Sequence, residues 1–402
     1  MRPFDGRRIV LGITGGIANY KSGWLARLLA QAGAEVDVVM TRGAAEFVAP
    51  VTFEALTGRP VHTELFAAGR ALDHIKLARE AQAVVVAPCT ADFLARAAQG
   101  RANDLLAAVL LATEAPVLLV PAMNDRMWRH PATVRNAATA RELGYRMMEP
   151  DNGPLAAGEG SGPGRMPEPE RIVEHAARLL ERGSLAGRSI LVTAGPTREP
   201  VDAVRFLSNH SSGRMGVAIA AAAWRRGADV TLVAGPLEIA VPEGVRVVRV
   251  RRTEEMARAV GAELPRADAL VMAAAPADFR AAVPVASKIK KSATPDAVAL
   301  ALKPAPDILA ETRTQRRPGA IIVGFALETD DITANARAKL EAKGLDLIVV
   351  NDAHEAGAGF GVETNRVTLI AKDGRVEPLT LMTKIELADL LLDRIEVLFG
   401  AR

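Results

Sequence analysis

The 402-residue chain contains one cysteine, Cys89, so no intrachain disulfide can form. A reducing compartment, the cytoplasm, is the simplest setting for such a chain. Aromatic residues make up only 4%, and the core must rest on alanine, valine and leucine, which suits tightly packed α/β layers. Charge of one sign is scarcely in excess, the net value being +3. There is no long basic run and no basic pattern interleaved with aromatics, so the reading includes no nucleic-acid partner. Long apolar runs are missing too. The most apolar stretch, Leu105 to Met123, is interrupted by Glu114 and Pro116 and reads as helix, turn and buried strand, so no membrane partner is expected. The opening MRPFDGRRIVLGITGG has no continuous signal-peptide core. What remains is ordinary globular composition in a chain too long for one core, which predicts two domains.

The richest stretch is Thr193 to Gly216, TAGPTREPVDAVRFLSNHSSGRMG. It joins an apolar strand at Ser189–Val192 to a helical run at Val217–Trp224, and it concentrates glycines, hydroxyls and arginines. Ser211-Ser212-Gly213 sits where a helix should begin. Free N–H groups and the positive dipole end there favour a phosphate or carboxylate; the alternative is an ordinary capped helix after a surface loop.

Earlier in the chain, Arg8–Ile13, the turn Thr14-Gly15-Gly16, a helix carrying Ile17, Tyr20, Trp24, Leu25 and Leu28, and Glu35–Met40 form a βαβ unit, hence a parallel sheet. Lys21-Ser22 imitates a phosphate-binding P-loop, but Tyr20 occupies the position where that motif requires glycine. Two apolar strands, Ala83–Ala87 and Val117–Val120, run into Pro88-Cys89-Thr90-Ala91-Asp92 and Pro121-Ala122-Met123-Asn124, turns at which open α/β sheets collect ligands. Asn124 fits either a carboxylate or amide contact or a helix N-cap. His74 is either a satisfied structural histidine or a general base. The glycine-dense Gly153–Arg165 is either a mobile linker or a substrate lid.

Strand logic restarts at Ser189, after a boundary near Ser184–Arg188. Ala269–Ala274 leads into another strand-end turn, Ala275–Arg280. In Lys288-Ile289-Lys290-Lys291 the charges are a solvated face, or one of them neutralises a triphosphate. Lys339 and Lys343 share one face of a helix. Leu387, Leu391, Ile395 and Leu398 give the last helix an apolar stripe directed at the core.

The wording of TAGPTREP and SNHSSGRMG resembles the ligase half of the bacterial bifunctional phosphopantothenoylcysteine synthetase/decarboxylase family of coenzyme A biosynthesis. GITGGIANYK at 12–21, DHIKLAR at 73–79, APCTADF at 87–93, AND at 102–104 and PAMNDRMW at 121–128 resemble its decarboxylase half. The resemblance spans roughly residues 6 to 396. It implies a flavodoxin-like, doubly wound parallel sheet over residues 1–185, carrying an FMN-dependent decarboxylase. Over residues 186–402 it implies a Rossmann-like sheet with a dimerising β-extension, carrying a CTP-dependent phosphopantothenate–cysteine ligase. FMN would meet Gly15, Gly16, Pro88, Thr90, Ala91 and Asp92, with His74 and Asn124 catalytic. CTP, with Mg2+, would meet Ala274, Asp278, Lys288, Pro306, Asp307, Ile308, Leu309, Phe325, Lys339 and Lys343, with Lys288 also catalytic and Asn209 handling an acyl-cytidylate. The substrates would be 4′-phosphopantothenate, cysteine and CTP. A homo-oligomer is implied, the ligase half dimeric and the decarboxylase half trimeric or higher.

The family's flap carries a cysteine that protonates an enethiol; here the matching position is Ala157, with one extra residue before Gly162. Alanine cannot donate a proton. Cys89, a water or another flap group would have to serve, or the reaction stalls at the enethiol. A non-catalytic flavin-binding regulator is the reading from another class, and turnover with the ligase substrates discriminates against it.

Overall fold

The structure, a computed structural model, describes all residues except 1–3, 67, 68, 70, 156, 157, 159, 182, 290–298, 329–331, 353–361 and 402. Ala157, Lys290 and Lys291 thus lie outside the described residues. The chain forms two compact units, Met1–Arg182 and Gly183–Arg402.

In the first unit, strands β1 (Arg8–Ile13), β2 (Glu35–Met40), β3 (Ala83–Cys89), β4 (Val117–Pro121) and β5 (Arg146–Met147) form a parallel sheet of order 2-1-3-4-5. That order is flavodoxin-like, with the switch point between β1 and β3. Alternation along each strand feeds two cores. Ile9, Leu11 and Ile13 face one with Ala83, Val85 and Ala87; Val10 faces the other with Val84, Val86 and Cys89. The first core is covered by helices Asn19–Gln31, Pro50–Thr57 and Pro169–Leu180. The second is covered by Asp73–Glu80, Ala91–Ala98, Leu105–Ala112 and Pro131–Glu142.

The segment expected to be an irregular linker or lid contains an antiparallel pair, β6 (Asp151–Pro154) with β7 (Ser161–Arg165). Glycine and proline density hid it, because neither residue has strand propensity; their tolerance of bulged, sharply turned backbone is what this pair uses. Its register shifts between Asp151 and Asn152.

In the second unit the strands are β8 (Ser189–Ala194), β9 (Arg198–Pro200), β10 (Phe206–Ser208), β11 (Asp229–Ala234), β12 (Arg246–Arg249), β13 (Ala269–Met272), β14 (Phe279–Ala281), β15 (Leu302–Pro304), β16 (Ile321–Glu328), β17 (Leu347–Asp352), β18 (Thr364–Asn365), β19 (Val367–Ala371), β20 (Val376–Pro378) and β21 (Met382–Thr383). The main sheet has the order 12-11-8-13-16-17-19-20, parallel from β12 through β17 and antiparallel at β19 and β20. Its switch point lies between β8 and β13, where the rich stretch leaves β8. The short antiparallel pairs β9–β10 and β14–β15 lie outside this sheet.

Helices Arg214–Arg225 and Lys384–Gly400 cover one face of the main sheet. Thr253–Glu263, Ile308–Glu311 and Ile332–Lys343 cover the other. The last helix starts at a capping box: Thr383 Oγ1 accepts the Glu386 N–H at 3.2 Å and the Glu386 carboxylate accepts the Thr383 N–H at 2.9 Å. Such a cap contributes roughly 0.5–2 kcal/mol. Leu387, Leu391 and Ile395 are fully buried, so the apolar stripe is core as the spacing predicted.

Candidate functional site

Each unit has a cavity at its switch point. The first, about 820 Å³, is lined by Thr14, Gly15, Gly16, Thr90, Ala91, Asp92, Asn124 and apolar residues including Ile17, Phe93, Met123 and Met127. Buried hydroxyls set its floor. Thr14 Oγ1 donates to the Pro88 carbonyl at 2.8 Å and accepts the Thr90 N–H at 3.0 Å, tying the ends of β1 and β3 together. Gly15 is required because a Cβ there would stand 2.7 Å from the Gly43 carbonyl carbon.

Asn124 satisfies both of its sequence readings. It caps the helix Asp125–Arg129, its Oδ1 accepting the Arg126 N–H at 2.9 Å, and it lines the cavity, leaving its amide NH2 as a donor. Pro88 does not line the cavity; it supports the floor through its carbonyl. His74 stands half-buried on Asp73–Glu80 and is not among the lining residues either. Sequence reasoning joined His74 and Asn124 in one site; a single chain does not bring them together. Cys89 is fully buried, and burial pushes its thiol well above the usual range. It lies in the core under the sheet, outside the cavity lining.

Lys21 is buried and is no P-loop lysine. Its Nζ donates to the Met166 carbonyl at 2.9 Å and to Glu168 at 3.0 Å. That hydrogen bond, joined by Arg165, holds the Glu168 carboxyl below the usual range. Pro154, Leu155, Gly164, Arg165 and Met166 also line the cavity, so the β6–β7 pair forms part of its wall.

The second cavity, about 490 Å³, is lined by Asn209, Ala274, Asp278, Pro306, Asp307, Ile308, Leu309, Phe325, Lys339 and Lys343. Five segments dispersed from residue 209 to 343 therefore converge. The exception among the sequence-derived positions is Lys288, which is exposed and outside the lining. Its neighbour Ile289 is held: the backbone N–H donates to buried Asp202 at 3.2 Å, and Arg205 donates to the Ile289 carbonyl at 3.4 Å.

Two buried threonines pin the turn after β13. Thr193 Oγ1 accepts the Ala274 N–H at 3.0 Å and Thr197 Oγ1 accepts the Ala277 N–H at 2.9 Å. Asn209 Nδ2 donates to the Ala275 and Pro276 carbonyls at 3.1 and 3.0 Å, so its amide oxygen remains to accept a hydrogen. Lys343 Nζ sits 3.3 Å from Asp307, the N-cap of Ile308–Glu311. The helix expected to begin at Ser211–Gly213 begins at Arg214, with Gly213 in the left-handed region at φ 79°. A side chain there would be strained and would also meet Leu237, which explains why glycine ends the loop. Ser211, Ser212, Gly213 and Arg214, from the stretch whose residue types suit an anion, line the cavity, as do Asn351, Asn365 and Lys384, three residues that sequence reasoning passed over.

Two family models match the chain: "Flavoprotein" over residues 2–181 and "DNA/pantothenate metabolism flavoprotein C-terminal domain" over residues 185–398. The coenzyme A biosynthesis bifunctional protein CoaBC of Mycobacterium tuberculosis is 47% identical, over 97% of this chain and 96% of that one. The protein of the same name from Vibrio vulnificus is 43% identical over 100% of both chains. A crystal structure of a CoaBC C-terminal domain is 35% identical, covering 55% of this chain and 100% of that one, at a TM-score of 0.47. A flavoprotein half followed by a pantothenate-metabolism half defines a two-part enzyme. The chain belongs to the family of coenzyme A biosynthesis bifunctional proteins.

Proposed function

We propose that the chain condenses 4′-phosphopantothenate with cysteine at the expense of CTP, then decarboxylates the product to 4′-phosphopantetheine. We assign the ligase to residues 186–402 and the FMN-dependent decarboxylase to residues 1–185. The observation that carries this reading is the convergence of Asn209, Ala274, Asp278, Pro306, Asp307, Ile308, Leu309, Phe325, Lys339 and Lys343 on one cavity.

In the ligase the carboxylate of phosphopantothenate attacks the α-phosphorus of CTP. The bond to the β-phosphate breaks and pyrophosphate leaves. The cysteine amine then attacks the acyl carbon, CMP departs and the amine loses a proton. The Asn209 amide oxygen, its NH2 already engaged, is the acceptor available to that amine. Lys339, Lys343 and Lys288, once drawn in, offset charge building on the phosphates. Mg2+ is expected to travel on the triphosphate, its habitual partner.

The first cavity fits FMN. Its volume lies in the range of cofactor pockets, its walls are largely apolar, and Gly15, Gly16 and Thr90 offer backbone and hydroxyl groups at one end. When bound, FMN supplies the two-electron oxidation of the cysteinyl thiol and returns those electrons afterwards, so the net change is loss of CO2. The Asn124 NH2 holds the substrate carboxylate, and His74 accepts the thiol proton.

Because His74 is absent from its own chain's cavity, the decarboxylase site is completed by a second copy. Phe66, Leu72 and Ile75, close to His74 in the chain, are exposed, as are Ile17, Tyr20 and Trp24, which follow the cavity's glycine turn; such apolar side chains suit contact with a second copy. In the ligase half, exposed Val204, Phe206, Phe279 and Leu302 lie on or beside the β9–β10 and β14–β15 pairs and suit a dimer. Among the described residues no helix is long and apolar enough to cross a membrane, and we assign the enzyme to the cytoplasm.

One mass-spectrometric assay with 4′-phosphopantothenate, cysteine, CTP and Mg2+ tests the reading. Phosphopantetheine, CMP and pyrophosphate together support both halves. An accumulated enethiol would place a block at the proton that Ala157 cannot supply. Absence of CMP would overturn the ligase.

A further inference from the structure

Two helices begin at one corner of the second cavity. The helix Arg214–Arg225 presents Arg214 and the helix Lys384–Gly400 presents Lys384, both at their first position. A cation at a helix N-terminus faces the positive end of the dipole, the unfavourable end for it. Lys384 is also buried, at 6% exposure, and its ammonium donates to the Val362 carbonyl. Two positive helix ends, a guanidinium and a buried ammonium therefore share one corner. Two carboxylates stand there: Glu363, which pairs with Arg214 and is itself mostly exposed, and Glu386, which is engaged in capping the last helix at Thr383. Burial, with the nearby Arg214 charge added, lowers the Lys384 pKa. A fold that accumulates such positive potential gains from an anion in that corner.

A second observation points the same way. Asn365 on β18 is 2% exposed, lines the cavity, and its Oδ1 has no hydrogen-bond partner among the described residues. Buried amides are ordinarily satisfied. One half-satisfied at a cavity wall is completed by what enters the cavity. The orphaned oxygen is an acceptor, so what completes it is a donor that arrives with the phosphate, a water carried on it.

We infer that Lys384, Arg214 and Asn365 bind the outer, β and γ, phosphates of the nucleotide, opposite in charge to the corner they build. The inference rests on reading this cavity as the CTP site. It assigns to the last helix a binding residue rather than packing alone. It also divides the cations: Lys339 and Lys343 stand on a different helix, and Lys343 is held by Asp307.

The test is binding of CTP with Mg2+, CMP, 4′-phosphopantothenate and cysteine, measured by calorimetry on the full chain. Wild type is compared with Lys384→Gln, Lys384→Arg and Arg214→Gln. Lys384→Gln should weaken CTP about tenfold, the effect of one lost charge-assisted hydrogen bond, and leave CMP unchanged. Lys384→Arg should restore most of the loss. Arg214→Gln, at a more exposed position, should weaken CTP in the same direction and guards against a folding defect at Lys384. If wild type binds no CTP, the nucleotide reading itself fails. If wild type binds CTP and the Gln variants bind it equally well, the inference fails. It fails too if CMP weakens as much as CTP, or if phosphopantothenate or cysteine loses affinity instead.

Discussion

Thr197 offers a sharp test of how the ligase turn is held. It is fully buried, and its hydroxyl serves two partners, the Ala277 N–H at 2.9 Å and the Thr253 hydroxyl at 2.8 Å. Thr197→Val keeps the volume close to native but removes the acceptor. Thr253 keeps a longer bond to the Ala277 carbonyl at 3.4 Å; the Ala277 N–H loses its hydroxyl partner inside the protein. An orphaned buried donor costs about 1–3 kcal/mol. For a unit of this size each kcal/mol corresponds to about 2–4 °C. The melting transition of the second unit should therefore fall by about 2–12 °C, centred near 6 °C at about 2 kcal/mol. Because Asp278 follows Ala277 directly and lines the cavity, KM for CTP should rise while turnover of preformed phosphopantothenoylcysteine by the flavin half stays constant. Thr197→Ser keeps the hydroxyl and should recover most of the CTP affinity. Differential scanning fluorimetry and separate assays of the two half-reactions decide it. An unchanged melting transition together with an unchanged KM for CTP would refute the claim that this hydroxyl holds the turn.

Asp202 accepts the Val204 and Arg205 N–H groups at 2.7 Å each and the Ile289 N–H at 3.2 Å. These backbone bonds, that of Val204 first, lower its pKa. Its contribution to stability is accordingly full above the unfolded carboxylate value, about 3.9, and disappears as pH falls through the lower folded value. Asp202→Asn should lower the urea midpoint at pH 7, and the gap from wild type should close below about pH 4; a gap that widens with acid would contradict the assignment. The second-copy reading makes a different demand. His74→Ala and Asn124→Ala should each be inactive in decarboxylation, yet mixed and reassembled subunits should regain activity through sites that combine one intact residue from each copy. Absence of regain in demonstrably mixed oligomers would overturn it.

Much of the fold was legible because each signal was local. Buried strands such as Ala83–Ala87 declared themselves by continuous apolar runs, and the stripe Leu387–Leu391–Ile395 by its spacing. The two strand-end regions were legible because glycines and hydroxyls follow such strands directly. What escaped was of another kind. Lys384 stands in TKIELADL, where periodicity reports only the apolar side of the helix. Its burial depends on the turn around Val362 and Glu363, with Arg214 brought near from more than a hundred residues away. Asn365 lies on a two-residue strand that no pattern announces. Pro88, His74 and Lys288 carry strong sequence signals, but proximity to a cavity is a property of packing, and none of the three lines one in the single chain. The β6–β7 pair was hidden by residues that ordinarily argue against strands.

Lys21 was first set aside as a false phosphate ligand, and its true contacts carry a mechanical implication. One ammonium reaches across the fold to clamp Met166 and Glu168, immediately beyond the end of β7. A wall fastened so close to its root has its base tied to the helix Asn19–Gln31, which carries Lys21. Loosening that rivet would shift the β7 side of the first cavity's wall and alter a side chain that itself lines the cavity.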